Sequence, residues 1–255
     1  MESTYGDKAH RSPELAYEEL RKVIQKTIER GGKVIIPAFA VGRTQELVVF
    51  LHEMITAGEI PAVPVYVDSP LAINASQIFN EHPEVMDTET IAHIRSHGHA
   101  ALDFKQINYT RSVEESKAIN DYKKPAVIIS ASGMAEAGRI LHHLRNNIED
   151  PRNTILIVGW QAPHTLGRRL ADRETKIKIF GEKFNRKANV ETIGGLSAHA
   201  GRDLLFEYAS AVKDQVQKVF LVHAEDRGAL PLKKELEMKG FKEVYYPEPQ
   251  SVFEI

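Results

Sequence analysis

The stretch GGKVIIPAFAVGRTQEL, residues 31–47, decides how this chain is read. Gly31 and Gly32 end a helix-patterned segment, because glycine takes left-handed backbone geometry past a helix end without steric cost. Residues 33–39 (KVIIPAF) then run almost wholly apolar, the pattern of a strand covered on both faces in a parallel sheet. Residues 44–57 follow with helical spacing, closed by Gly58. Upstream, Ser12-Pro13 reads as an N-cap with proline at the first helical position. Ala16, Leu20, Val23 and Thr27 then share one face, with Ile24 and Ile28 beside them.

The same rhythm continues downstream. Strands are expected at residues 63–67, 126–130 (AVIIS), 154–158 (TILIV) and 176–180 (KIKIF). Ser112 and Glu115 form a Ser-x-x-Glu capping box, and another helix is expected near residues 138–147. Strands alternating with helices of this length predict an α/β fold with parallel β-α-β units. Residues 83–111 are the least regular, and His93, His97 and His99 within them read as a solvated helix and loop, since no carboxylate has a matching metal-ligand spacing. From Val190 the tempo changes to strand (VETIG), loop (SAHAG), helix to Val212, strand (KVFLVH), helix and a final strand pair. A boundary is therefore expected near residue 189, between two packed units.

Composition narrows the function classes. Among 255 residues, 33 Lys and Arg face 35 Asp and Glu, so no chain-wide positive field exists and any nucleic-acid contact must be local. The absence of cysteine excludes disulfides and thiolate zinc sites and fits a reducing cytoplasm, the expected location. No apolar run approaches the roughly 20 residues of a membrane span, so no membrane partner is expected.

Three segments carry candidate chemistry: Glu2 in ESTYG, His199 in GGLSAHAG and His223 in FLVHAED. His223 ends an apolar run and so emerges at the carboxyl edge of a strand, where α/β sheets bind ligands. His199 lies in a strand-to-helix loop. Spacing alone favours reading the two histidines as ordinary polar residues, His199 capping its helix and His223 hydrogen-bonded at a strand end.

The ordered series ESTYG, GGKVIIPAFAVGRTQEL, VYVDSPLA, SASGMAEAGRILHHL, GWQAPHTLGRRL, GGLSAHAG and FLVHAED resembles the β-CASP family of metallo-β-lactamase-fold ribonucleases from end to end. That family includes the endonuclease subunit of the pre-mRNA 3′-end cleavage machinery. The resemblance implies a parallel-sheet, Rossmann-like β-CASP cassette over residues 7–189. Residues 1–6 would be a remnant of the first metallo-β-lactamase segment, and residues 190–255 the C-terminal part of its αββα domain. It further implies that Glu2 and His199 form the pair that protonates the leaving ribose oxygen, and that His223 binds one of two zinc ions. The chemistry explains the residue types. Zinc lowers the pKa of water to about 7, which makes hydroxide available as nucleophile at neutral pH. A carboxylate-held imidazole suits the leaving oxygen's need for a proton.

The family's His-x-His-x-Asp-His motif does not occur in these residues. One metal-binding histidine cannot hold two zincs, since a catalytic zinc takes about three protein ligands. The expectation is therefore that the remaining ligands are supplied in cis or in trans, and that this chain alone holds no zinc stably and does not cleave RNA. Departures from the family pattern stand at Gly201, Ala224 and Pro163-His164. For RNA or phosphate contact, Arg43 and the Ser132-Gly133-Met134 turn are the candidates, the latter by exposing backbone N–H groups at a strand-to-helix turn. Tight-turn geometry is the alternative for both. Arg168-Arg169 reads as an exposed helix face, and Trp160 as packed. Against the nuclease stands a metal-free RNA-binding or scaffold module. An α/β enzyme for small phosphorylated substrates is less favoured, because neither glycine-rich nucleotide motif is present. Homodimerisation, the RNA target and the choice between endo- and exonuclease action are left open.

Overall fold

The computed structural model describes residues 1–86, 88, 91–92 and 102–254, so His93, His97 and His99 lie outside the described residues. In chain order, residues 13–196 form α1 (Pro13–Glu29), β1 (Lys33–Pro37), α2 (Arg43–Thr56), β2 (Val65–Val67), α3 (Pro70–Glu81) and β3 (Ile107–Tyr109). They continue with α4 (Val113–Asp121), β4 (Ala126–Ser130), α5 (Ile140–Asn147), β5 (Thr154–Ile157), α6 (Leu166–Ala171), β6 (Lys176–Ile179), β7 (Glu182–Asn185) and β8 (Asn189–Thr192). Six strands make one parallel sheet in the order β3-β2-β4-β1-β5-β8.

Strand β1 shows why. All five of its residues are buried, and they alternate between the two sides. Val34 and Ile36 join a core built with Leu20 and Ile24 of α1 and Leu47 and Leu51 of α2. Ile35 joins the opposite core with Ile140 and Leu144 of α5 and Leu166 and Leu170 of α6. Period-2 geometry forces that alternation, and helices on both faces turn it into burial worth about 1.5–3 kcal/mol per large aliphatic side chain. Pro37, with no N–H to give a ladder, is tolerated because β5 pairs with β1 only at Val34 and Ile35.

From β1 the chain steps outward to β2 and β3, then returns through β4 to β5 and β8, and the helices change face at that turn. Connections therefore leave in opposite directions from β2 and β4, and from β1 and β5, the arrangement that opens a crevice at the carboxyl ends of such strands.

Two strands differ from the sequence reading. Residues 176–180 were expected as a sheet strand, but β6 pairs antiparallel with β7 as a separate hairpin. The turn residues Phe180 and Gly181 both have positive φ, at 50° and 83°, the backbone a two-residue hairpin turn needs. Phenylalanine is not a residue that announces such a turn. Strand β3, inside the stretch read as least regular, has only three residues and no alternation to betray it.

The second compact unit joins residues 1–12 to 197–255. The division falls after Leu196, where the sequence reading set it at 189, because residues 189–192 form the sheet's edge strand β8. This unit contains α7 (Arg202–Ala211), β9 (Val219–Phe220), α8 (Asp226–Met238) and β10 (Val244–Tyr245). Strands β9 and β10 are parallel. Residues 1–3 run alongside: Ser3 N–H donates to the Val222 carbonyl at 3.1 Å, and Val222 N–H to that of Met1 at 3.0 Å. Leu205, Leu221, Leu232, Leu236 and Val244 close the core beneath. Of the expected final strand pair, only β10 forms among the described residues; Pro247 and Pro249 remove ladder donors beyond it. Among the described residues no helix is long and apolar enough to cross a membrane.

Candidate active site at the carboxyl end of β9

After Leu221 and Val222 the chain turns sharply at His223, whose φ of 56° lies in the left-handed region that non-glycine residues rarely occupy. The turn carries the imidazole to the carboxyl edge of the parallel strands. His199 reaches the same edge from the loop before α7, and Glu2 from the neighbouring extended segment. One ligand atom from each of the three lies within 4.8 Å of those from the other two.

Hydrogen bonding assigns their protons. His199 Nδ1 stands 2.9 Å from Glu2 Oε2. A carboxylate only accepts, so Nδ1 carries the hydrogen and Nε2 of His199 faces away from Glu2. The other carboxylate oxygen accepts from the Ala200 N–H at 3.0 Å. Burial pushes the Glu2 carboxyl up, but the Thr4 hydroxyl, the Ala200 N–H and His199 outweigh it and hold the group below the usual carboxylate range. Glu2 is thus an ionised orienting group with three donors on its two oxygens.

Thr4 had no assigned role, and it links the site. Its Oγ1 lies 2.7 Å from Glu2 Oε2, 2.9 Å from the His223 carbonyl and 3.2 Å from His223 Nδ1. A hydroxyl has one proton, and the carboxylate is the strongest acceptor present. With that proton given to Glu2, Thr4 accepts from His223 Nδ1–H, and the lone pair of His223 is left on Nε2. That is the tautomer a metal ligand needs. The signal was available: along an extended segment residues 2 and 4 share a face. His10, whose Nε2 lies 2.5 Å from the His199 carbonyl, had no such signal.

Gly228 of α8 lets this segment sit close. A Cβ there would stand 2.6 Å from the Ser3 carbonyl oxygen and 2.8 Å from that of Thr4. Gly228→Ala is therefore expected to cost about 1–3 kcal/mol by overpacking and to loosen the Glu2–His199 bond. Urea unfolding and the His199 imidazole NMR signals check this; unchanged values for both would refute it.

The remaining candidates lie in the unit of residues 13–196, at the carboxyl edge of its sheet. Arg43 opens α2 after Gly42, whose φ is 83°. Its guanidinium pairs with Glu46 on the next turn, and burial lowers its pKa. In the turn after β4, Ser132 Oγ accepts from the N–H groups of Glu136 and Ala137 at 3.1 and 3.2 Å. Ser132 N–H donates to the Ala137 carbonyl, and Ala135 N–H to that of Ser132. Much of the loop's hydrogen bonding is thus internal, which makes the turn rigid. Gly133 stands where a Cβ would meet the ring of Phe39 at 2.9 Å, and that ring is half exposed.

Beside this edge lies a cluster that was not foreseen. Asp68, just after β2, is fully buried and accepts from Thr110 Oγ1, Arg139 Nη1 and His143 Nε2 at 2.7 Å each, and from Ser116 Oγ at 2.5 Å. Burial alone would raise its carboxyl, yet His143, Ser116, Thr110 and Arg139 hold it well below the usual range.

A doubly covered parallel sheet, joined in one chain to a carboxylate–imidazole pair beside a second imidazole, defines an α/β protein with a clustered polar site. Comparison with known proteins gives its family. The Beta-Casp domain matches residues 44–170, and the Zn-dependent metallo-hydrolase RNA specificity domain matches residues 183–247. The chain belongs to the β-CASP family. It is 36% identical over 240 residues to Ribonuclease TTHA0252 of Thermus thermophilus, covering 94% of this chain and 54% of that protein. To Transcription termination factor FttA it is 34% identical in Methanosarcina mazei and 35% in Pyrococcus abyssi, covering 91% and 94% of this chain and 37% and 38% of those proteins. The chain thus spans about half the length of the first relative and little over a third of the others.

Proposed function

We propose that this chain carries the general-acid pair and one metal ligand of a zinc-dependent ribonuclease, with the other metal ligands coming from a His-x-His-x-Asp-His segment in cis or in trans. The observation that supports the reading is the Glu2–Thr4–His199–His223 cluster, in which Nδ1 of each imidazole is engaged by Glu2 or Thr4 and Nε2 is left for another partner. His223 Nε2 presents a lone pair and would hold the metal. Zinc, when bound, supplies an activated water nucleophile and offsets phosphoryl charge. His199 would act as the general acid, passing a proton from Nε2 to the departing ribose oxygen while Glu2, bonded at Nδ1, fixes the ring. The donor set fits zinc in type; in the general-acid reading Glu2 and His199 are committed to each other, which leaves His223 as one ligand where a catalytic zinc takes about three.

For substrate contact we assign Arg43 and the Ser132-Gly133-Met134 turn to the RNA strand, with the exposed Phe39 ring beside Gly133 as an apolar neighbour for a base.

Two measurements test the proposal. Elemental analysis of this chain is expected to find less than one zinc retained, and no RNA cleavage; two tightly held zincs per chain would overturn the ligand assignment. Supplied with the His-x-His-x-Asp-His segment, the protein is expected to cleave RNA. Thr4→Val should then weaken zinc affinity about 10–100-fold, as loss of a group that orients a ligand does. Unaltered zinc affinity in that variant would rule out an orienting role for Thr4.

A further inference from the structure

The β6–β7 hairpin breaks two local rules at once. Lys178 and Lys183 sit directly opposite each other, a like-charge pair that destabilises a two-stranded ladder. The turn places Phe180, a bulky aromatic, at φ 50° and leaves its ring 50% exposed, where glycine or asparagine would sit without strain. The inward side of the hairpin is ordinary, with Ile177, Ile179 and Phe184 packed into the sheet's core. Its outward side presents Lys176, Lys178 and Lys183, and none has a carboxylate within ion-pair distance among the described residues.

Charge around the hairpin runs against the chain as a whole. Residues 175–187 hold five cations (Lys176, Lys178, Lys183, Arg186 and Lys187) against one anion (Glu182), so 5 − 1 gives +4, in a chain whose net charge is −2. Glu182 is taken up by Arg145 at 3.0 Å. Arg186 spends its guanidinium on the neutral carbonyls of Arg173, Glu174 and Ala188, which leave its charge uncompensated. At the tip, Phe180 lies 4.8 Å from the His142 ring, centroid to centroid. An exposed aromatic beside a row of unpaired lysines is what single-stranded nucleic acid uses: charge tracks the phosphates and the ring stacks a base.

We propose that the β6–β7 hairpin is a second RNA contact surface, separate from the Arg43 and Ser132–Met134 edge. Lys178 and Lys183 hold the phosphate backbone and Phe180 stacks a base of a single-stranded segment. This rests on the ribonuclease reading and extends it to how the substrate strand is held by the unit of residues 13–196. A polyanion between the two lysines turns their repulsion into attraction, which is the physical use of an otherwise unfavourable pair.

The test is binding of a fluorescent single-stranded oligoribonucleotide to the full chain, measured by anisotropy over a salt series. K178Q/K183Q is expected to weaken binding about tenfold. It should also reduce the salt slope by about 1.4, two phosphate contacts at about 0.7 each for a single strand. F180A is expected to weaken binding at least about fivefold with the slope unchanged. The control K26Q/K117Q, two exposed lysines on α1 and α4, should leave both values alone. The melting temperature of K178Q/K183Q should equal or exceed that of the parent, which separates lost contact from lost fold. If the parent binds RNA and K178Q/K183Q binds it equally with the same slope, the hairpin surface is refuted and the ribonuclease reading stands. A parent with no affinity for RNA would sink both. An acidic peptide that needs these lysines, while RNA binding does not, would reassign the surface to a protein partner and overturn the proposal.

Discussion

Asp68→Ala is expected to lower the unfolding free energy by about 3–5 kcal/mol, because removing one member of a buried ionic cluster leaves the others uncompensated. Asp68 is fully buried and collects four side-chain donors, two of them from Arg139 and His143. It ties the end of β2 to β3 through Thr110, to α4 through Ser116 and to α5 through His143. The folded carboxyl lies below its ordinary value of about 3.9. Below that ordinary value, the unfolded chain therefore binds more protons than the folded one. The stabilisation is complete above about pH 5 and is lost as pH falls through the folded value. Trp160, the single tryptophan, lies in the same unit and reports its unfolding by fluorescence. Urea midpoints at pH 7 and pH 3 should differ strongly in the parent and much less in the variant. A loss under about 1 kcal/mol at pH 7 would show that the cluster is dispensable.

In the protein supplied with the remaining metal ligands, His199→Ala is expected to lower kcat about 10²–10⁴-fold, the usual worth of a positioned proton donor, with zinc content unchanged. His223→Ala is expected to act the other way round, losing zinc first and activity as a consequence. The contrast follows from proton placement. His199 Nδ1 is committed to Glu2 at 2.9 Å, whereas the Thr4 contact leaves the lone pair of His223 on Nε2. Zinc content by elemental analysis, alongside single-turnover cleavage, separates the two. Should both substitutions strip zinc equally, the three clustered groups would constitute one cation site, and the general-acid role would fall.

Much of the fold could be read along the chain. The apolar run at residues 33–37 is a strand buried on both faces, and the Ser112/Glu115 capping box forms with both of its bonds. The antiparallel pairing of β6 with β7 could not be read, since it turns on Phe180 taking a conformation its side chain disfavours. Nor could the Asp68 cluster, whose members at 68, 110, 116, 139 and 143 follow no period. The places where local rules failed coincide with buried charge and with exposed, uncompensated charge, where tertiary context outweighs propensity.

The order of residues by itself determined which faces are apolar, where helices start and stop, and hence a parallel α/β sheet, because those follow from periods of 2 and 3.6 along one chain. It also carried a series of motifs sufficient to point to the family. Only the tertiary structure decided that Glu2 meets His199 across 197 residues of sequence, and that Thr4 comes within reach of Glu2 and His223 at once. Periodicity specifies which way a side chain points, never what it meets, and partners so far apart are chosen by how strands and helices pack.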